Sequence, residues 1–173
     1  MSSYALEILA ECHDRPGFSS GLESVDRYLR ETARGHLAKG VSVTRVLVDA
    51  RAPSPKVILG FFTLSNIIVD SKDWPGLPKG LPKQPISAIL LGRLAVAETA
   101  HGKGIGSMLV ASARQLANET IHRTGGLGMV VDAASEDVMG FYSKFGFRKV
   151  ASTSLRMFLP AASLEAGAEI SEV

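Results

Sequence analysis

The stretch HGKGIGSML, residues 101–109, sets Gly102, Gly104 and Gly106 directly before a segment with an apolar helical side. Glycine weakens ordered structure unless the backbone needs unusual angles or something must approach it closely. A helix N-terminus exposes unpaired N–H groups and the positive end of the helix dipole, so glycines placed there suit a phosphate. A tight turn without a ligand fits the glycines equally well. The usual nucleotide motifs do not match. No Lys-Ser or Lys-Thr follows to complete a G-x-x-x-x-G-K-[ST] loop, and the third glycine of G-x-G-x-x-G falls on Ser107 or, counted from Gly104, on Leu109.

A second group lies some thirty residues on, in SEDVMGFYSKFGFRKV. Phe141, Tyr142 and Phe145 recur at helical spacing, which is first of all a core pattern, but the Tyr142 hydroxyl is also a proton donor. Glu98 and Asp132 fall near the ends of two apolar runs and are candidate bases beside water, with a solvated loop or capping role as the plainer reading. His101 is read as an anion contact or a spacer, while His13, His36 and His122 stand in no motif. Cys12 is the single cysteine, so no intrachain disulfide and no multi-cysteine zinc site can form, and no metal is expected.

The elements that must position these groups alternate between strand and helix. YALEILA reads as a strand. A helix follows to Lys39, with Ser20 as N-cap, Glu23 completing a capping box and Gly40 as the stop. Leu22, Val25, Leu29, Ala33 and Leu37 form its apolar stripe, and Arg27, Arg30, Arg34 and Lys39 lie on its other faces. VSVTRVLVDA and KVILGFFTLSNIIVD are strands joined through RAPSP, with Gly60 predicting a bulge or bend. Residues 71–85 are a long proline-rich loop carrying Lys72, Lys79 and Lys83, and Trp74 there is either an exposed anchor or a lid contact. ISAILLGRLAVA predicts a central strand buried on both faces, and a helix is expected over about 104–123. GGLGMVVDAA supplies a turn and another buried strand. A short helix capped by Ser135 ends at Gly146, and one or two final strands follow in FRKVASTSLRMFL.

The order is that of an α/β fold with a mixed central sheet and helices on both faces. With 173 residues, 46% hydrophobic and 21% charged, the chain suits a single domain over residues 1–160, and the small acidic tail 161–173 is expected to fray. A net charge of +2 does not by itself announce a nucleic-acid binder. No stretch is long and apolar enough to predict a membrane span and no basic leader opens the sequence, so a cytoplasmic protein without a membrane partner is expected.

GRLAVAETAHGKGIGSMLV and SEDVMGFYSKFGFRKV, with a strand between them, together resemble the acetyl-CoA-binding core of the GNAT N-acetyltransferase superfamily. His101 stands where that family's loop usually has Arg or Gln, and Ser135 where Asn is frequent. The resemblance implies a single-domain GNAT fold and acetyl-CoA as co-substrate. It implies that strands 90–96 and 127–132 splay, that the pantetheine arm pairs with the backbone of Leu94, Ala95 and Val96, and that a backbone N–H there polarises the thioester carbonyl. The pyrophosphate would lie on His101, Gly102, Lys103, Gly104, Ile105, Gly106 and Ser107, with Ser135 and Phe141 completing the cofactor side. Tyr142 is the implied general acid.

The opening FSSGLESVDRYLRETARGHLAKG narrows the resemblance to the toxins of bacterial GNAT/ribbon-helix-helix toxin–antitoxin modules, which acetylate aminoacyl-tRNA and block translation. That implies aminoacyl-tRNA and a ribbon-helix-helix antitoxin as partners, and a homodimer. Arg27, Arg30, Arg34, Lys39, Lys79 and Lys83 are then candidate contacts to tRNA phosphates, against the plainer reading of a solvated helix face and a soluble loop. Acetylation of a small amine, peptide or protein lysine stays open, as does an inactive module that binds acetyl-CoA or antitoxin.

Overall fold

The apolar run at Ile86–Val96 holds the middle place in a mixed seven-strand sheet, as predicted, but it is not buried throughout: Ser87 and Arg93 are exposed and Leu90, Leu94 and Val96 half-buried. The computed structural model describes residues 3–70 and 74–166. In chain order the strands are β1 (Tyr4–Ile8), β2 (His13–Asp14), β3 (Val43–Asp49), β4 (Lys56–Val57), β5 (Gly60–Val69), β6 (Ile86–Val96), β7 (Gly128–Asp132), β8 (Arg148–Lys149) and β9 (Arg156–Pro160). The helices are α1 (Glu23–Arg27), α2 (Ala33–Ala38), α3 (Ile105–Thr124), α4 (Glu136–Ser143) and α5 (Ala161–Ala166). The large sheet has the order β1-β3-β5-β6-β7-β9-β8, and β2 and β4 form a small parallel pair of their own. β6 runs parallel to β7, whereas β1–β3, β3–β5, β7–β9 and β8–β9 are antiparallel.

The chain divides into two compact units, one built from residues up to Ser65 with Gly92–Leu109, the other from Asn66–Leu91 with the residues from Val110 on. In the first, Leu29, Ala33, Val46, Val48, Phe61 and Phe62 are fully buried, and Phe18 stands edge-on to Phe61 with ring centroids 5.4 Å apart. Gly60 opens β5 instead of bulging inside a longer strand. A Cβ there would lie 2.8 Å from Leu109 Cδ1 and 3.0 Å from the Ala95 carbonyl, so the glycine serves close packing.

The first helix begins three residues later than its expected cap. Leu22 is the cap residue and makes no side-chain capping bond, so the Ser20–Glu23 box is not formed. Buried Asp26 takes that role: its carboxylate accepts from the Ser20 N–H at 3.1 Å and from the Ser20 hydroxyl at 2.6 Å. Between α1 and α2 the residues Tyr28–Thr32 are wound as a π-helix. Gly40, at φ +71°, ends the helical stretch as predicted.

In the second unit, Val69, Ala88, Leu127, Val130 and Phe158 form a buried cluster, and Trp74, Leu77 and Leu81 of the proline-rich loop pack on it. The Trp74 ring lies 5.2 Å from that of Phe158, so Trp74 is a lid contact and not an exposed anchor. The tail departs from its expected fraying: residues 161–166 form α5, held by buried Leu164 and by Arg114, which donates to the Ser163 carbonyl at 2.9 Å. Residues 167–173 and Lys72 lie outside the described residues.

Candidate functional site

The glycine loop joins β6 to α3 through a short 3-10 turn at Glu98–Ala100. Gly102 and Gly104 have φ of +76° and +74°, the left-handed region in which any other residue is strained. A Cβ at either position would meet nothing within 4 Å, so these glycines face open space. Buried Ile105 anchors the first turn of the 20-residue α3, and Lys103 and Ser107 are exposed beside it. This combines free N–H groups, a long helix dipole and an unobstructed approach, the arrangement that accepts a phosphate. His101 does not reach outward. Its Nε2–H donates to the Val96 carbonyl at 3.0 Å and clips the loop back onto the end of β6.

The β6–β7 ladder runs from Ile89↔Met129 to Leu91↔Val131. Gly92–Val96 extend past it. Along this stretch Ala95 is buried and Leu94 and Val96 are half-buried.

In the second unit Ser135 caps α4, its hydroxyl oxygen accepting from the Val138 N–H at 3.4 Å, and Glu136 and Asp137 occupy the first turn. The last turn presents the aromatic cluster. Tyr142 is 5% exposed and stands edge-on to Phe141 and Phe147, with centroids 5.2 and 5.7 Å away, while Phe141 is half-buried. Burial pushes the Tyr142 hydroxyl up to about 12, so it is neutral and protonated across the physiological range. Among the described residues it has no hydrogen-bond partner, which leaves its proton available to an acceptor.

The two candidate bases are both engaged. Arg156 grips Asp132 with two bonds of 2.7 and 2.9 Å, and the carboxylate in turn raises the guanidinium's affinity for its proton. Glu98 accepts from the Ser19 hydroxyl at 3.2 Å and lies against Gly21, whose Cβ would come within 2.9 Å of it.

The arginines of the basic helix are largely neutralised. Arg30 and Arg27 share Glu23 at 2.7 and 3.8 Å, and Arg34 pairs with Glu11 at 2.9 Å. Lys39, Lys79 and Lys83 are exposed and have no ion pair among the described residues.

Two groupings escape the sequence patterns. The Arg93 guanidinium lies 3.7 Å over the centroid of the Tyr28 ring. Glu7, Cys12 and His13 bring three potential ligand atoms within 4.8 Å of one another. That second group is already bonded internally. His13 Nδ1 accepts from the Ala10 N–H at 2.9 Å, its Nε2–H donates to Glu7 at 2.7 Å, and Lys56 reaches the other Glu7 oxygen at 2.6 Å. Lys56, then His13, hold the Glu7 carboxyl below the usual carboxylate range. Nothing in local spacing signals either grouping, since each joins residues from separate elements.

Residues 57–149 match the acetyltransferase (GNAT) domain family. A tRNA-acetylating toxin of Mycobacterium tuberculosis (strain ATCC 25618 / H37Rv) is 31% identical over 160 residues, covering 92% of this chain and 93% of that protein. The crystal structure of AtaTR bound with acetyl-CoA is similar with a TM-score of 0.82 at 26% identity, over 94% of this chain and 96% of that one. A mutant AtaT toxin bound to the C-terminus of the antitoxin AtaR is similar with a TM-score of 0.76 at 26% identity, again over 94% and 96%.

Proposed function

The chain belongs to the GNAT acetyltransferase family, and we propose that it moves acetyl from acetyl-CoA to the α-amino group of aminoacyl-tRNA, acting in the cytoplasm as a translation-blocking toxin held in check by a ribbon-helix-helix antitoxin. The observation that carries this reading is the 31% identity to a tRNA-acetylating toxin over nearly the whole of both chains. The AtaTR structure with acetyl-CoA supports the co-substrate, and the AtaT–AtaR structure supports an antitoxin partner.

In this reading the backbone N–H groups of residues 102–107 take the pyrophosphate, with Lys103 adding charge, while the His101 N–H is spent on the Glu98 carbonyl. The open space at Gly102 and Gly104 fits a group that must come close to the main chain. The backbone of Leu94, Ala95 and Val96, past the end of the β6–β7 ladder, pairs with the pantetheine arm. An N–H there stabilises the charge that develops on the thioester oxygen. The Val96 carbonyl is already used by His101, which assigns His101 to shaping the loop.

Acetyl-CoA supplies an activated acyl group. The acceptor nitrogen forms its bond to the acyl carbon as the C–S bond breaks. Asp132 is held by two bonds from Arg156, which leaves the exposed Glu98 carboxylate or water to take the proton released by the amine. Tyr142, whose hydroxyl is protonated at neutral pH, gives its proton to the leaving sulfur and recovers one from solvent.

Incubation with labelled acetyl-CoA and charged tRNA, uncharged tRNA, and a panel of small amines, peptides and lysine-rich protein tests the reading. Label is expected in charged tRNA alone. Label in a member of the panel instead points to a different acceptor, and binding of acetyl-CoA without transfer to anything points to an inactive module.

A further inference from the structure

Arg93 is the only charged residue in ISAILLGRLAV, the apolar central strand β6. Its side chain is exposed. Among the described residues it has neither a carboxylate nor a side-chain hydrogen bond. Its partner is the face of Tyr28, 3.7 Å below the guanidinium carbon. Tyr28 is itself fixed: it is 6% exposed, and its hydroxyl meets His36 Nδ1 at 3.2 Å and Ser42 Oγ at 3.1 Å. The His36 ring also stands edge-on to it at 5.6 Å. The π-helical segment starts at this tyrosine, a local departure that is frequent at functional positions.

The contact holds the guanidinium carbon over the ring, and among the described residues its N–H donors make no hydrogen bond. Arg27, Arg30 and Arg34 spend theirs on glutamates. A planar, preset fork of donors matches two oxygens of a phosphate. Arg93 also directly precedes Leu94, so it lies about 3.3 Å of strand rise from the backbone assigned to the acetyl carrier.

We propose that Arg93, held over the ring of Tyr28, grips the phosphodiester of the acceptor RNA next to the amino acid that is acetylated. This rests on the aminoacyl-tRNA reading and names the acceptor contact of that same site.

The test compares two minimal acceptors, an aminoacyl-adenosine without phosphate and an aminoacyl-CpA with one phosphodiester, for wild type, Arg93→Ala and Arg93→Lys. Wild type is expected to prefer the aminoacyl-CpA, and Arg93→Ala to raise KM for it by at least about tenfold with little change in kcat. Arg93→Ala should leave KM for aminoacyl-adenosine and for acetyl-CoA unchanged. Arg93→Lys, which keeps the charge but not the plane, should fall between. With whole charged tRNA, Arg93→Ala should lower the slope of log affinity against log salt by about one. Equal losses on both minimal acceptors, or a raised KM for acetyl-CoA instead, overturn the inference while leaving the function intact. Failure of wild type to acetylate charged tRNA or either minimal acceptor overturns both. Arg93 is exposed, so the fold should survive, and melting temperatures within a few degrees of wild type check this.

Discussion

The glycine loop of the first unit and helix α4 of the second solve opposite problems. The loop works through the main chain: Gly102 and Gly104 sit at left-handed angles facing open space, ready for a group that approaches the backbone. In the proposed reaction helix α4 works through a side chain, and one taken out of water: Tyr142 is 5% exposed among aromatic neighbours, and burial raises its hydroxyl above the ordinary value. Anion binding needs unpaired donors reachable from solvent, whereas an acid must hold its proton until the reaction calls for it. The contrast teaches which substitutions should harm binding and which should harm chemistry.

The largest effect is expected at Tyr142. Tyr142→Phe keeps the ring contacts to Phe141 and Phe147 and removes only the donor, so turnover should fall by about 10²-fold or more while acetyl-CoA affinity holds, measured by steady-state rates and calorimetry. Gly104→Val should do the reverse. A β-branched side chain at φ +74° strains the turn and fills the approach, so acetyl-CoA affinity should drop by at least about tenfold, with the same calorimetric readout.

A pH experiment sharpens the same comparison. The folded Tyr142 hydroxyl is pushed up to about 12 from an ordinary 10, so the unfolded chain ionises first as pH rises. This group's contribution to stability is therefore full below pH 10 and is lost between about pH 10 and 12, on the order of 2–3 kcal/mol. Urea titrations across that window should show wild type losing stability relative to Tyr142→Phe by about that amount as pH rises. A constant gap would contradict the assignment of burial as the cause.

Smaller effects separate structure from chemistry. Asp132→Asn should keep turnover within about threefold, with a stability loss below about 1 kcal/mol because the pair with Arg156 is partly exposed. A collapse in rate would restore Asp132 as the base. Ser135→Ala removes a cap whose bond is long, so a stability loss of about 0.5–1 kcal/mol by chemical denaturation is expected, with unchanged kinetics.

What was legible in the sequence is what local pattern encodes. The largely apolar run of β6, the cap at Ser135 and the glycine stops at Gly40 and Gly146 each follow from nearest neighbours along the chain. The loop glycines were legible as special positions, and the resemblance to acetyltransferases turned them into a candidate phosphate cradle. Illegible features join distant residues. Asp26 displaced the expected Ser20–Glu23 box because a buried carboxylate found both the N–H and the hydroxyl of Ser20. Asp132 read as a free carboxylate until strand pairing set it opposite Arg156. Arg93 carried no signal of its own within its strand, because its partner Tyr28 lies 65 residues earlier in the chain.

The central claim is that a buried, protonated tyrosine serves acetyl transfer to aminoacyl-tRNA. A single-turnover experiment with labelled acetyl-CoA and charged tRNA, comparing wild type with Tyr142→Phe, tests it most directly. The account predicts label on the α-amino group of the tRNA-bound amino acid, formed about 10²-fold faster or more by wild type. Equal rates for the two proteins, or no label on charged tRNA while small amines are acetylated, would contradict it.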